Sequence, residues 1–264
     1  MKLTIVGCSG SMAGPTSPAS SYLVQANGIG PDGEERTYSV LLDLGSGAFG
    51  SLQATMDVAD LDAVALSHLH PDHCADMTGL YVWQRYGPLG QREALPVYGP
   101  EETAARLTSL CFTEPEEIDA TFAVEQWQEQ VPIQIGPLTL TPYEVLHPVP
   151  AYGIRVTGPS EDPELGQVSV GYTGDTDVCD GVIAMANGVD LLLAEAGFAD
   201  GAEVVRGIHL TGARAGQVAT AAGVGRLLLT HIQPWSDPEV IAQAARAAFA
   251  GPVELVAANE TWTL

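Results

Sequence analysis

A chain of 264 residues with 46% hydrophobic side chains can bury a full core, and 29 glycines with 18 prolines mark it as globular and turn-rich rather than disordered. Thirty-three acidic residues against ten basic ones leave a formal charge of −23, which argues against a long RNA or DNA partner, because such affinity comes mainly from Lys and Arg on phosphates. No run approaches the roughly 18 apolar residues of a membrane helix, and the N-terminal MKLTIVGCSGS, with too short an apolar stretch for an export signal, predicts a first strand in a cytoplasmic protein.

In chain order, Leu3–Cys8 predicts a strand that ends in Gly-rich punctuation. Tyr22–Gln25 and Tyr38–Leu44 predict the next two, joined by the turn-rich Asn27–Gly33. Asp62–Leu66 reads as a strand delivering the loop Ser67-His68-Leu69-His70-Pro71-Asp72-His73. Pro100–Cys111 reads as a helix with Glu101 and Glu102 in its first turn. Strands are expected at Ile133–Leu140 and Thr141–Leu146, leading to His147, and at Gln167–Tyr172, ending at Gly174-Asp175. Val189–Ala194 runs as a buried strand into Glu195, and Arg226–Thr230 ends at His231. Gly212–Ala222 and Asp237–Phe249 predict helices, the second capped by Ser236 or Asp237, and Val253–Ala257 predicts the last strand. Strands and helices alternate in both halves without a linker or repeat, so one layered α/β domain over residues 1–264 is expected. The four cysteines, Cys8, Cys74, Cys111 and Cys179, lack a paired spacing and are expected to be free thiols.

All six histidines fall into one pattern. His68, His70, Asp72 and His73 form an H-x-H-x-D-H signature, and His147, His209 and His231 follow singly, with Asp175 between them. Imidazole and carboxylate together suit zinc, with manganese, magnesium and iron as alternatives. His68 and His70 can share one ion while Asp72 and His73 turn toward a second. His147 would complete the first site and His231 the second, and Asp175 has two oxygens with which to bridge both. Two divalent ions about 4 Å apart suit phosphoryl displacement. A lone histidine is usually a packed or surface residue; four donor residues in one short loop, supported by three positions after strands, are not.

These residues resemble the metallo-β-lactamase superfamily in its ribonuclease Z-like branch: H-x-H-x-D-H, the later His, the T-G-D-T carboxylate around Asp175 and the terminal L-L-x-T-H occur in the family's order. The segments VGCSGSMAGPTSPASSYLV, LSHLHPDHCADMTGLYVWQRY, GDTDVCD, HLTGARAG and LLLTHIQPW are most similar to actinobacterial cyclic-nucleotide phosphodiesterases of the atypical class II kind. The resemblance implies an αββα sandwich with a dinuclear site at one edge, and hydrolysis of cyclic AMP to 5′-AMP by a metal-bridging hydroxide whose proton Asp72 holds or accepts. It makes His209 the non-ligand histidine that protonates the leaving oxygen, Glu195 a candidate to orient it, and Asp43 a brace for the metal loop. It also suggests a homodimer acting on a small cyclic nucleotide.

Ser9, with Gly10 and Ser11, is a candidate to offer backbone N–H groups to a phosphate, and Trp235 to stack on a purine; turn chemistry and rim packing are the plainer readings. Ribonuclease Z itself is the alternative function, and a non-enzymatic metal-binding protein the third. The first alternative lacks a basic tRNA-gripping arm, since the 27 residues between His147 and Asp175 hold one Arg, Arg155, against Glu161, Asp162 and Glu164. The second is disfavoured because no ligand position is lost.

Overall fold

The computed structural model describes residues 1–201 and 205–264. The N-terminal half contains β1 (Lys2–Gly7), β2 (Ser21–Ile29), β3 (Glu35–Leu42), α1 (Ala48–Thr55), β4 (Ala63–Ala65), α2 (Pro71–Cys74), α3 (Met77–Tyr86), β5 (Leu95–Gly99), α4 (Thr103–Cys111), α5 (Pro115–Asp119) and β6 (Phe122–Gln126). The C-terminal half contains β7 (Ile133–Ile135), β8 (Leu138–Glu144), β9 (Tyr152–Pro159), β10 (Gln167–Tyr172), α6 (Asp180–Ala186), β11 (Leu191–Glu195), α7 (Gly212–Ala222), β12 (Leu227–Thr230), α8 (Pro238–Ala248), β13 (Val253–Leu255) and β14 (Thr261–Thr263). The first sheet has the order β14-β1-β2-β3-β4-β5-β6 and the second β13-β12-β11-β10-β9-β8-β7. In each sheet the strands nearest the site run parallel: β3 through β6 in one, β10 through β13 in the other.

Side-chain alternation explains the layering. Tyr22 and Val24 join the core between the sheets with Val156, Val170, Tyr172 and Leu193, whereas their neighbour Leu23 packs outward beneath the helices. Leu42 and Leu41 divide in the same way. Leu52, Met77, Leu80 and Leu107 cover the outer face of the first sheet, and Val182, Val218, Ala219 and Ile241 that of the second. The result is the αββα sandwich. Strands buried on both faces are continuous apolar runs, which is why β11 reads LLLAE.

Two phenols cross between the layers. Tyr22 Oη on β2 hydrogen-bonds Thr230 Oγ1 on β12 at 2.7 Å, and Tyr172 Oη on β10 donates to Asp43 Oδ2 at 2.7 Å. Both rings are buried and lie 4.9 Å apart.

Several boundaries differ from the sequence-based expectation. The turn expected at Asn27–Gly33 begins later: β2 continues to Ile29, pairing Asn27 with Thr37, and the chain reverses near Gly33. Ile133–Leu140 is not one strand, because Gly136-Pro137 folds β7 back on β8. β9 and the helices α1, α3 and α6 were not anticipated. α1 follows Gly47 and has no side-chain cap, and the Asp76 carboxylate at the start of α3 accepts from the Phe49 amide instead of capping its own helix. The four cysteines are free. No helix among the described residues is long and apolar enough to cross a membrane.

Candidate metal centre

Four strands deliver the donors. The loop after β4 carries His68, His70, Asp72 and His73; His147 follows β8, Asp175 follows β10, and His231 follows β12. They form two groups whose potential ligand atoms all lie within 4.8 Å of one another. In the first, His68 Nε2 lies 3.0 Å from His70 Nδ1, which lies 3.2 Å from His147 Nε2. In the second, His231 Nε2 is 3.3 Å from His73 Nε2 and 3.1 Å from Asp72 Oδ2. Asp175 serves both: Oδ2 is 3.6 Å from His68 Nε2, while Oδ1 is 3.2 Å from His73 Nε2 and 3.4 Å from His231 Nε2.

This donor set fits divalent metal. Zn–N bonds of about 2.0–2.1 Å in tetrahedral geometry place ligand atoms roughly 3.4 Å apart, close to the spacings within each group. Asp175 Oδ1 is buried with no hydrogen-bond partner, a costly state for a carboxylate oxygen that a bound cation relieves. The backbone is shaped for the purpose. Gly174 has φ +57°, and a Cβ there would lie 2.8 Å from the Tyr152 carbonyl oxygen, so the turn that aims Asp175 requires glycine. His231 and Asp43 hold φ of 56° and 59°, the left-handed region that non-glycine residues seldom occupy.

Burial lowers the pKa of His68, His70 and His147, favouring the neutral imidazole that metal requires. Burial also works against charge on Asp72 and Asp175, yet the neighbouring histidines hold both carboxyls below the usual range. At His73 burial is outweighed by Asp175 and Asp43, which raise its pKa.

A profile of the β-lactamase superfamily domain matches residues 38–232, from β3 through the last donor, His231. The chain belongs to the metallo-β-lactamase superfamily. It is 41% identical to the protein Rv1339 of Mycobacterium tuberculosis, over 99% of this chain and 92% of that one. It is 31% identical to YhfI of Bacillus subtilis, a probable metallo-hydrolase, over 99% of both chains; the crystal structure of YhfI superposes with a TM-score of 0.82 at 30% identity, covering 99% of this chain and 98% of that one. A ribonuclease Z of Methanopyrus kandleri is 31% identical over 83% of this chain and 84% of that protein. The superfamily's metallo-hydrolases support a metal-dependent hydrolase here.

Within this superfamily fold, Asp43 lies directly behind the metal loop. Its carboxylate accepts the Ser67 amide and hydroxyl, each at 2.7 Å, as well as the Tyr172 hydroxyl, and lies 2.7 Å from His73 Nδ1. That contact leaves His73 Nε2 facing the second group. His147 Nδ1 likewise bonds the Ile208 carbonyl at 2.9 Å, freeing Nε2. Asp43→Ala is expected to weaken metal binding by roughly 10–100-fold, the usual cost of losing an orienting partner. Competition with a chromophoric chelator measures it, and unaltered affinity would show that Asp43 braces nothing.

His209 stands beside the donors without belonging to the two main groups. Its Nδ1 is 2.9 Å from Glu195 Oε1 and 3.8 Å from Asp175 Oδ2, and its ring centroid is 5.3 Å from that of His231 and 5.6 Å from that of His147. Glu195 is fixed in turn by the Thr176 amide on Oε1 and the Gly197 amide on Oε2. Burial alone would depress the His209 pKa, but Glu195 with Asp175 raises it to about 9. Glu195, His209 and His231 also form a third, smaller cluster of possible ligand atoms.

The weaker substrate candidates lie differently. The Ser9 and Gly10 amides, candidates for a phosphate contact, follow the plainer turn reading and are bonded to the Pro18 and Ile232 carbonyls, both at 3.0 Å. Only the Ser11 amide points at the site, 3.3 Å from His231 Nε2. Trp235 is 66% exposed. Cys74 is buried, with Sγ donating to the His70 carbonyl. Sequence reasoning missed Asp177, whose buried carboxylate accepts Arg206 Nε at 2.6 Å and the Gly207 amide at 2.9 Å, anchoring the segment that leads into His209. Its position two residues after Asp175 was the available signal.

Proposed function

We propose that the protein hydrolyses 3′,5′-cyclic nucleotides, cyclic AMP to 5′-AMP, as a metal-dependent phosphodiesterase. The observation that carries this is the pair of donor groups sharing one carboxylate, Asp175. Two divalent ions held there, zinc by donor chemistry, would activate water at neutral pH and offset charge on the phosphate oxygens. Asp72 engages His231 and His73 through Oδ2, leaving Oδ1 to take the proton of the attacking water. His209 carries the other proton. The Glu195 carboxylate holds that proton on the ring against the opposing pull that bound cations would exert, so Nε2 can donate to the departing 3′ oxygen. The same assignment includes a homodimer.

The Methanopyrus relative favours a second reading, 3′ processing of tRNA. Against it stands the hairpin between His147 and Asp175. β9 and β10 pair tightly, their connection carries Glu161, Asp162 and Glu164, and the one arginine, Arg155, donates to the Asn187 carbonyl at 2.8 Å. No basic arm extends there to meet a polyanion, and a charge of −23 adds to the barrier. A cyclic nucleotide brings a single negative charge, which two bound ions would meet directly. Metal-loaded protein should hydrolyse cyclic AMP and leave precursor tRNA intact when cyclic AMP, cyclic GMP, bis(p-nitrophenyl) phosphate and precursor tRNA are assayed in parallel. Specific cleavage of the tRNA without cyclic-nucleotide turnover would install the ribonuclease.

A further inference from the structure

A cavity of about 540 Å³ opens beside His70, between the metal loop and the start of α4. That size is ordinary for a small-molecule site. Its walls are largely apolar, with Leu69, Pro100, Val149 and Pro150 among the lining residues. Arg106, from α4, also lines it. The Arg106 Nε is buried and bonded to nothing, and among the described residues the guanidinium has no carboxylate within 4.0 Å. Its neighbour is the Cys74 thiol, which packs under the His70 carbonyl. An arginine whose near neighbour is a thiol rather than a carboxylate, with a buried Nε bonded to nothing, at a cavity wall shared with a metal-group histidine, is placed to donate to something that enters.

The rest of the lining says what enters. Glu101 and Glu102 also border the cavity, so its charges sum to about one negative and repel a second phosphate. A neutral, flat group with acceptors for the arginine and N–H groups for the carboxylates fits instead. Resting on the phosphodiesterase assignment above, we infer that this cavity receives the purine base of a cyclic nucleotide, with Arg106 donating to the acceptor edge of the ring and a carboxylate at Glu101 or Glu102 accepting from its N–H groups. The aliphatic walls cover the faces of the ring. The base therefore lies on the His70 side of the centre, and Trp235, exposed on the His231 side, is not its platform.

The test compares kcat/KM for cyclic AMP with kcat/KM for the base-free ribose 3′,5′-cyclic phosphate. Arg106→Met removes the donors and keeps the volume; Val149→Trp fills the cavity and leaves the arginine. In both variants the ratio should fall roughly 10–100-fold, carried by KM. Calorimetric titration with 5′-AMP against ribose 5-phosphate should show the same loss of preference. A wild-type protein that turns over no cyclic nucleotide would sink the phosphodiesterase assignment and this inference together. Turnover by the wild type, with the ratio unmoved in both variants, would sink the base pocket alone.

Discussion

Asp175→Ala will release metal from both donor groups and lower turnover by roughly 10³-fold or more, since several kcal/mol of transition-state stabilisation depends on a complete pair of ions. Asp175 is 2% exposed and, among the described residues, is the one side chain shared by both groups, Oδ2 toward His68 and Oδ1 toward His73 and His231. Its loss also strips the negative charge that sits amid these imidazoles, leaving Asp72 and Asp43, at the outer side of His231 and His73, as the nearby counter-charges. Mass spectrometric metal analysis should find fewer than two ions per chain in the variant and two in the parent. A variant that keeps two ions would show that each group is complete without the shared carboxylate. Far-UV circular dichroism should match the parent, because the αββα layers are held by cores that Asp175 does not join.

His209→Ala should separate chemistry from metal binding. Two ions stay bound, because the seven donors of the two main groups are untouched, while kcat falls roughly 10²–10⁴-fold, the usual span for a lost general acid. A substrate with a good leaving group should be spared: hydrolysis of bis(p-nitrophenyl) phosphate needs little protonation of the departing phenolate. The decline would thus be larger for cyclic AMP than for the aryl ester. Loss of an ion from this variant would make His209 a ligand, as its cluster with Glu195 and His231 allows. An undiminished rate for cyclic AMP would remove it from the reaction.

The donors were legible in the sequence because histidine is scarce, six in the chain, and the donor positions follow apolar strands. His147, Asp175 and His231 could be found from the runs ending at Leu146, Tyr172 and Thr230. The rim was harder to read. α1 begins without a capping side chain, so nothing local announces it, and the Asp76 that opens α3 spends its carboxylate on the Phe49 amide. β9 carries Gly153, Gly158 and Pro159, which read as loop, yet its alternating buried residues pair with β8 and β10. Such a strand is decided by its neighbours rather than by its own composition. At Ser9 the sequence left two readings open, a phosphate cradle and a plain turn, and the choice falls to distant carbonyls that take the Ser9 and Gly10 amides and that only the folded chain brings near. Arg106 carried no signal either, being one arginine on an ordinary helix until α4 is set against the metal loop.

The two phenol bridges between the sheets bear on how such a centre keeps its tolerances. Four of the seven donors hang from one layer and three from the other, so any slip of one sheet across its partner would pull the His68–His73 loop away from His147, Asp175 and His231. An apolar interface resists separation but not sliding, since burial is nearly indifferent to small lateral shifts. Hydrogen bonds are directional, and those from Tyr22 to Thr230 and from Tyr172 to Asp43 span the gap at 2.7 Å a few residues from the donors themselves. They act as dowel pins, holding two otherwise slippery plates in alignment. One of the two is seated in the carboxylate that also steers His73, so the same atom sets the position of the layers and the aim of a donor.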